Sequence, residues 1–78
     1  MKTAMQGQEK PLLLSAAAAA KLLGISRAHF YSIHSSGVLG PLPIRLGRRI
    51  LWSRQELERW VYAKCPARVK WIEGANEG

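Results

Sequence analysis

The chain contains no aspartate, a single cysteine and only five acidic residues in 78. Each shortage removes a class of function. Without aspartate no Ser/His/Asp set exists, and Glu56 and Glu58 stand together on one helix start, where capping accounts for the first. Cys65 has no internal disulfide partner, and one cysteine with two histidines does not make a metal cluster. There is no glycine-rich phosphate loop, and the chain is too short to wall a substrate cleft. We therefore expect no enzyme, no cofactor and no metal. No apolar run approaches the ~18 residues a membrane span needs. Lys2 and Lys10 beside PLLLSAAAAA imitate the parts of a secretory leader. That segment runs on through Lys21 into an organised pattern that cleavage would destroy, so a soluble, cytoplasmic protein is expected.

Base and alanine are what the chain has in plenty. Twelve Lys and Arg against five Glu give a net charge of +7 and a pI near 10.4. Between Lys10 and Ile72, eleven basic residues face only Glu56 and Glu58. A field of that sign favours nucleic acid or an anionic surface as partner. Ten of the apolar residues are alanines, so a thin core is expected. Its members would be Leu12, Leu14, Leu22, Leu23, Ile25, Phe30, Ile33, Leu57, Trp60 and Val61.

Residues 1–11 lack periodicity and read as a mobile lead. Then Ser15, Ser26 and Ser53 each follow an apolar residue and precede a helical pattern, the position of an N-cap. The first helix is expected from Ala16 to Leu23, with Ala19, Leu22 and Leu23 on one face and Gly24 as its end. The second is expected from Arg27 to about Ser36, with Phe30 and Ile33 inward, Ile25 and Phe30 as a hydrophobic staple, and Gly37 as terminator. Two short helices joined through a glycine turn read as helix-turn-helix. The third helix begins at Ser53-Arg54-Gln55-Glu56, a capping-box pattern with Trp52 and Leu57 as staple, and Pro66 closes it near Lys64. Residues 12–65 form the expected domain and 66–78 a C-terminal tail, in which Trp71 either folds back on the core as a short strand or serves, with Arg68 and Lys70, as a protein contact.

Between the second and third helices Pro41 and Pro43 force extended chain, and IRLGRRILW follows as a hairpin. A two-residue loop, Gly47-Arg48, would put Arg49 on the face of Ile44, Leu46 and Leu51. A three-residue loop, Gly47-Arg48-Arg49, would gather Ile44, Leu46, Ile50 and Trp52 on one face. Because a one-residue slip exchanges the faces, burial favours the three-residue loop, with Arg48 and Arg49 at the tip and Arg45 outward. Arginine is a poor turn residue, so the pair reads as a phosphate or minor-groove contact.

In that order the motifs are similar to a known group. The stretches AAKLLG, LGISR, PIRLGRR and WSRQELERW, over about Leu12 to Val61, resemble the AlpA-like and phage excisionase-type small regulators of the MerR-like winged-helix group. The resemblance implies a mainly α fold with a β-hairpin: a winged helix-turn-helix of three short helices and a two-stranded wing. It implies a sequence-specific double-stranded DNA-binding protein, a transcription regulator or excisionase of a mobile element. Its second helix would enter the major groove and its wing would hold the backbone or minor groove. By matching positions, Ser26, Arg27, Ala28, His29, Tyr31, Ser32 and Ser35 would face the groove, and Arg48 and Arg49 would form the wing tip. Arg45 and Arg54 flank it.

On a helical wheel Ala28, Tyr31, Ser32 and Ser35 lie opposite Phe30 and Ile33. Arg27, in the first turn, is the first choice for a guanine or phosphate contact. His34, nearer the apolar side, reads as a half-buried packing residue, and Trp52 and Trp60 as core. With few long side chains on the second helix, an integrase partner or a cooperative array on DNA would add specificity. The alternative is a protein-interaction adaptor, whose basic face docks an acidic protein and whose tail recruits a partner. RNA is a distant third, since too few exposed aromatics are available for stacking on single strands.

Overall fold

A serine starts each of the first three helices, and the computed structural model, which describes residues 11–77, shows how. The Ser15 hydroxyl accepts the Ala18 N–H at 3.2 Å, starting α1 (Ala16–Leu23). Ser26 accepts the His29 N–H at 3.0 Å, starting α2 (Arg27–Ser35). Ser53 accepts the Glu56 N–H at 3.1 Å, starting α3 (Arg54–Tyr62). Each satisfies an N–H that the first helical turn leaves unpaired. The far ends are equally local. Gly24 and Gly37 take the left-handed conformation, at φ 81° and 82°. The next residues then bond back into the helices, Ile25 N–H to the Ala20 carbonyl and Val38 N–H to the Ile33 carbonyl, each at 3.0 Å. In α3 the same closure runs from Cys65 N–H to the Trp60 carbonyl, with Lys64 at φ 73° in the glycine's place.

Only half of the capping box forms. The Glu56 carboxylate, expected to return to the cap, accepts the Trp71 indole N–H at 2.8 Å. That contact belongs to an element the local pattern does not reveal. Residues expected as a tail form α4 (Arg68–Glu77), and Trp71 does fold back on the core, from a helix and not from a strand. The expected lead over residues 1–11 falls outside the described residues except for Pro11.

Three short antiparallel strands accompany the helices. These are β1 (Leu13–Leu14), β2 (Ile44–Leu46) and β3 (Arg49–Ser53), in the order β1-β3-β2. The architecture is thus mainly helical with a small sheet, the form of a winged helix-turn-helix domain. β2 and β3 make the hairpin, in the register the burial argument rejected. Ile44 faces Leu51, Arg45 faces Ile50, and Leu46 faces Arg49, so the loop is Gly47-Arg48. Gly47, at φ 63°, takes the first loop position with positive φ, as expected for a type II′ turn. Ile44, Leu46 and Ile50, expected in the core, are 42%, 58% and 50% exposed. Burial could not choose the register because this part of the hairpin projects past the core. Only its base is buried, at Leu51 and Trp52, where β1 pairs Leu14 with Trp52.

The core is built on Phe30, Leu39, Leu57, Trp60, Trp52 and Leu14. Phe30 meets Trp52 edge to face, with ring centroids 4.9 Å apart. Small residues complete the α1 face. Ala16, Ala19 and Ala20 are buried and Leu23 packs beside them, a stripe at i, i+3, i+4 and i+7. That stripe leaves Leu22 exposed, one step away from its expected place. Leu12 lies before the two-residue β1 and is exposed, and Val61 faces an open apolar groove with Leu22 and Tyr62. Leu39 and Pro41, which the pattern left in a loop, are fully buried.

Candidate nucleic-acid interface

Phe30 anchors the inner face of α2 and thereby turns the other face outward. Ser26, Arg27, Ala28, His29, Tyr31, Ser32 and Ser35, the seven residues expected to face DNA, are all exposed. Not all are chemically free. The Ser26 hydroxyl is committed to the His29 N–H, and the Ser35 hydroxyl donates to the Tyr31 carbonyl at 2.8 Å. Arg27 and His29 are the long polar side chains of the first turns. The first turn of α2 carries no acid, so nothing on the helix neutralises its positive N-terminal end.

The exit of α2 is held by a residue whose expected place is a protein-contact tail. Arg68, at the start of α4, donates from Nη2 to the His34 carbonyl at 2.8 Å and from Nε to the Leu39 carbonyl at 3.0 Å. Its backbone N–H donates to the Gly37 carbonyl at 3.0 Å. Nη2 also lies 3.2 Å from His34 Nδ1, which must therefore accept, leaving the ring proton on Nε2. A cation here complements the negative helix end. Burial, and then the Arg68 charge, push the His34 pKa below 6.5. His34 is half-buried, with its ring edge-on to Trp52 at 5.5 Å. It is a packing residue, as expected.

The wing supplies the second cationic element. Arg45, Arg48 and Arg49 are exposed. Their arrangement differs from the expected one. Arg48 occupies the turn, but Arg49 is the first residue of β3 and shares a face with Ile44, Leu46 and Leu51. Arg45 lies on the opposite face with Ile50 and Trp52. Among the described residues, Arg27, Arg45, Arg48 and Arg49 make no ion pair or side-chain hydrogen bond to a protein group. Arg54 differs. It pairs with Glu58 at 3.1 Å and donates from Nε to the Pro11 carbonyl at 3.0 Å, so its charge serves the fold.

Two longer-range contacts keep the frame together. Trp60 donates its indole N–H to the Pro66 carbonyl at 2.8 Å, tying α3 to the segment before α4. Gly40 lies where any Cβ would come within 2.6 Å of Trp60 Nε1 and 2.8 Å of Trp71 Cγ. Both tryptophans can pack there only because that side chain is absent. No signal within four residues points to Arg68, Trp71 or Gly40, since their partners are distant along the chain.

No helix among the described residues is long and apolar enough to cross a membrane, and no group of His, Cys, Asp or Glu among them could hold a metal ion. Comparisons with curated proteins and with solved structures returned no match. A helix-turn-helix domain family matches residues 13–64, two thirds of the chain, from β1 through the end of α3. With the capped pair α1 and α2, their glycine turn and the wing all inside that span, the chain belongs to this helix-turn-helix domain family, whose members are small DNA-binding proteins.

Proposed function

We propose that the protein binds double-stranded DNA sequence-specifically, as a transcription regulator or excisionase of a mobile element, in the AlpA-like branch of the MerR-like winged-helix group. The family membership carries DNA binding in general. The likeness of AAKLLG, LGISR, PIRLGRR and WSRQELERW to that group supports the narrower reading. In this reading α2 lies in the major groove with Ser26, Arg27, Ala28, His29, Tyr31, Ser32 and Ser35 toward the bases, and Arg45, Arg48 and Arg49 of the wing hold the sugar–phosphate backbone. A cytoplasmic location follows from such a role.

One observation supports it most. The chain ties Arg54 and Arg68 to its own carbonyls and carboxylates, while the arginines of α2 and the wing are exposed and make no such bonds among the described residues. Ala28, Ser32 and Ser35 are short, so base contacts fall mainly to Arg27 and His29. A cooperative array or an integrase partner would supply the remaining specificity.

A salt titration of duplex binding tests the reading. With about 4–6 phosphate contacts, log K falls against log[salt] with a slope near −4 to −5. Arg48→Ala weakens all duplexes alike, and Arg27→Ala changes the preferred sequence. No duplex binding at low salt overturns the reading. Loss of sequence preference from Arg48→Ala alone shows the wing, and not α2, to be the reader.

A further inference from the structure

The register of the hairpin leaves an unusual surface on both sides of the wing. On one face Leu46 stands directly opposite Arg49; on the other Ile50 stands directly opposite Arg45. At the outer end of the wing each face therefore pairs one large aliphatic residue with one arginine across the strands, with Cβ atoms about 5 Å apart in such pairs, and Ile44, 42% exposed, adds a second aliphatic residue to the Leu46 face. Leu46 and Ile50 are 58% and 50% exposed, and the structure covers neither. Charge alone does not account for them. A wing that met DNA only through arginines would be served by polar residues at 46 and 50, which would cost nothing in water.

We propose that the two faces of the wing each pack against one sugar–phosphate strand, with Leu46 and Ile50 buried on deoxyribose and Arg49 and Arg45 on the adjoining phosphates. The inference rests on the DNA-binding reading above and adds to it an apolar, salt-independent component of the wing contact. A nucleic-acid strand alternates an anionic phosphate with a largely apolar sugar, and each wing face presents the matching pair. Arg48, in the turn between the faces, leads the wing between the two strands. Charge selects DNA over a second copy of this chain: two apposed wings would set Arg45, Arg48 and Arg49 against the same three cations.

Leu46→Thr and Ile50→Thr test this in the full chain. Threonine keeps the strand preference, and both positions are exposed, so thermal unfolding of both variants should match the wild type. The expected result is an affinity for duplex DNA about fivefold lower in each variant, from the apolar area no longer buried, with the salt slope unchanged. Arg45→Ala and Arg49→Ala should instead flatten the slope by about 1 each. Wild-type affinity in both threonine variants overturns the inference alone. A loss confined to one of them overturns the two-strand arrangement, and a loss of self-association without loss of DNA affinity identifies the partner as protein. Absence of duplex binding by the wild type overturns the DNA-binding reading, and this inference with it.

Discussion

The second helix and the wing present similar chemistry to solvent, yet they are anchored by different means. α2 is held along its inner face and at both ends. Phe30 is fully buried against Trp52, Ser26 caps the start, Gly37 turns the end, and Arg68 grips the last carbonyls from α4. The wing is held at its base only, by Leu51 and Trp52, and every residue from Ile44 to Ile50 is exposed. Beyond the base its form depends on ladder hydrogen bonds and on the turn at Gly47. The position of α2 is therefore part of the global fold, whereas the wing can change its side chains without unfolding anything. An element coupled to the core stays in place, and one that projects from it is free to vary its contacts.

The largest expected effect separates the two directly. Phe30→Ala should cost about 3–5 kcal/mol, most of the stability of a domain this small. Ile44→Ala on the half-exposed wing should cost about 0.5 kcal/mol or less. Denaturant unfolding followed by circular dichroism measures both, and comparable losses would show the wing to be as integral as α2.

An intermediate effect sharpens the contrast. Arg68→Ala removes hydrogen bonds from a charged donor to three acceptors around the end of α2, and should cost about 1.5–3 kcal/mol. Hydrogen exchange should accelerate in the last turn of α2 and at Trp71 and stay unchanged in β2. Equal acceleration in β2 would mean that the two regions open together.

The smallest effect is a pH dependence confined to α2. The folded state lowers the His34 pKa, so below the unfolded value of 6.5 the unfolded chain binds its proton more readily. The contribution of His34 to stability is thus complete above about pH 6.5 and declines as the pH falls from there toward the folded pKa. His34→Gln should therefore flatten that slope in a series of thermal melts between pH 5 and 8. An unchanged slope would place the titrating group elsewhere.

Features that close within a few residues were legible in the chain. The three serine caps, the glycine ends of α1 and α2 and the outward face of α2 all rest on neighbours no more than six residues apart, and all stand where the pattern puts them. The alanine run was misjudged by one position, because Leu22 is larger than Ala20 but the stripe is chosen by direction and not by size. The hairpin was placed correctly, but its register was not. An argument from burial fails where there is no core to bury into.

The chain by itself thus determined the helix-turn-helix: its hydrogen bonds are local, and serine and glycine satisfy them wherever they stand. It also determined the excess of base, which no fold can remove. Tertiary structure decided what distant segments do to one another. It brought Arg68 to His34 and Leu39, Trp71 to Glu56 across the gap at Gly40, and β1 to β3. It also sent the wing out beyond the core, where the turn geometry at Gly47 sets the register and gives Leu46 and Ile50 to opposite faces. These outcomes depend on which surfaces meet, and spacing along a chain carries no record of that.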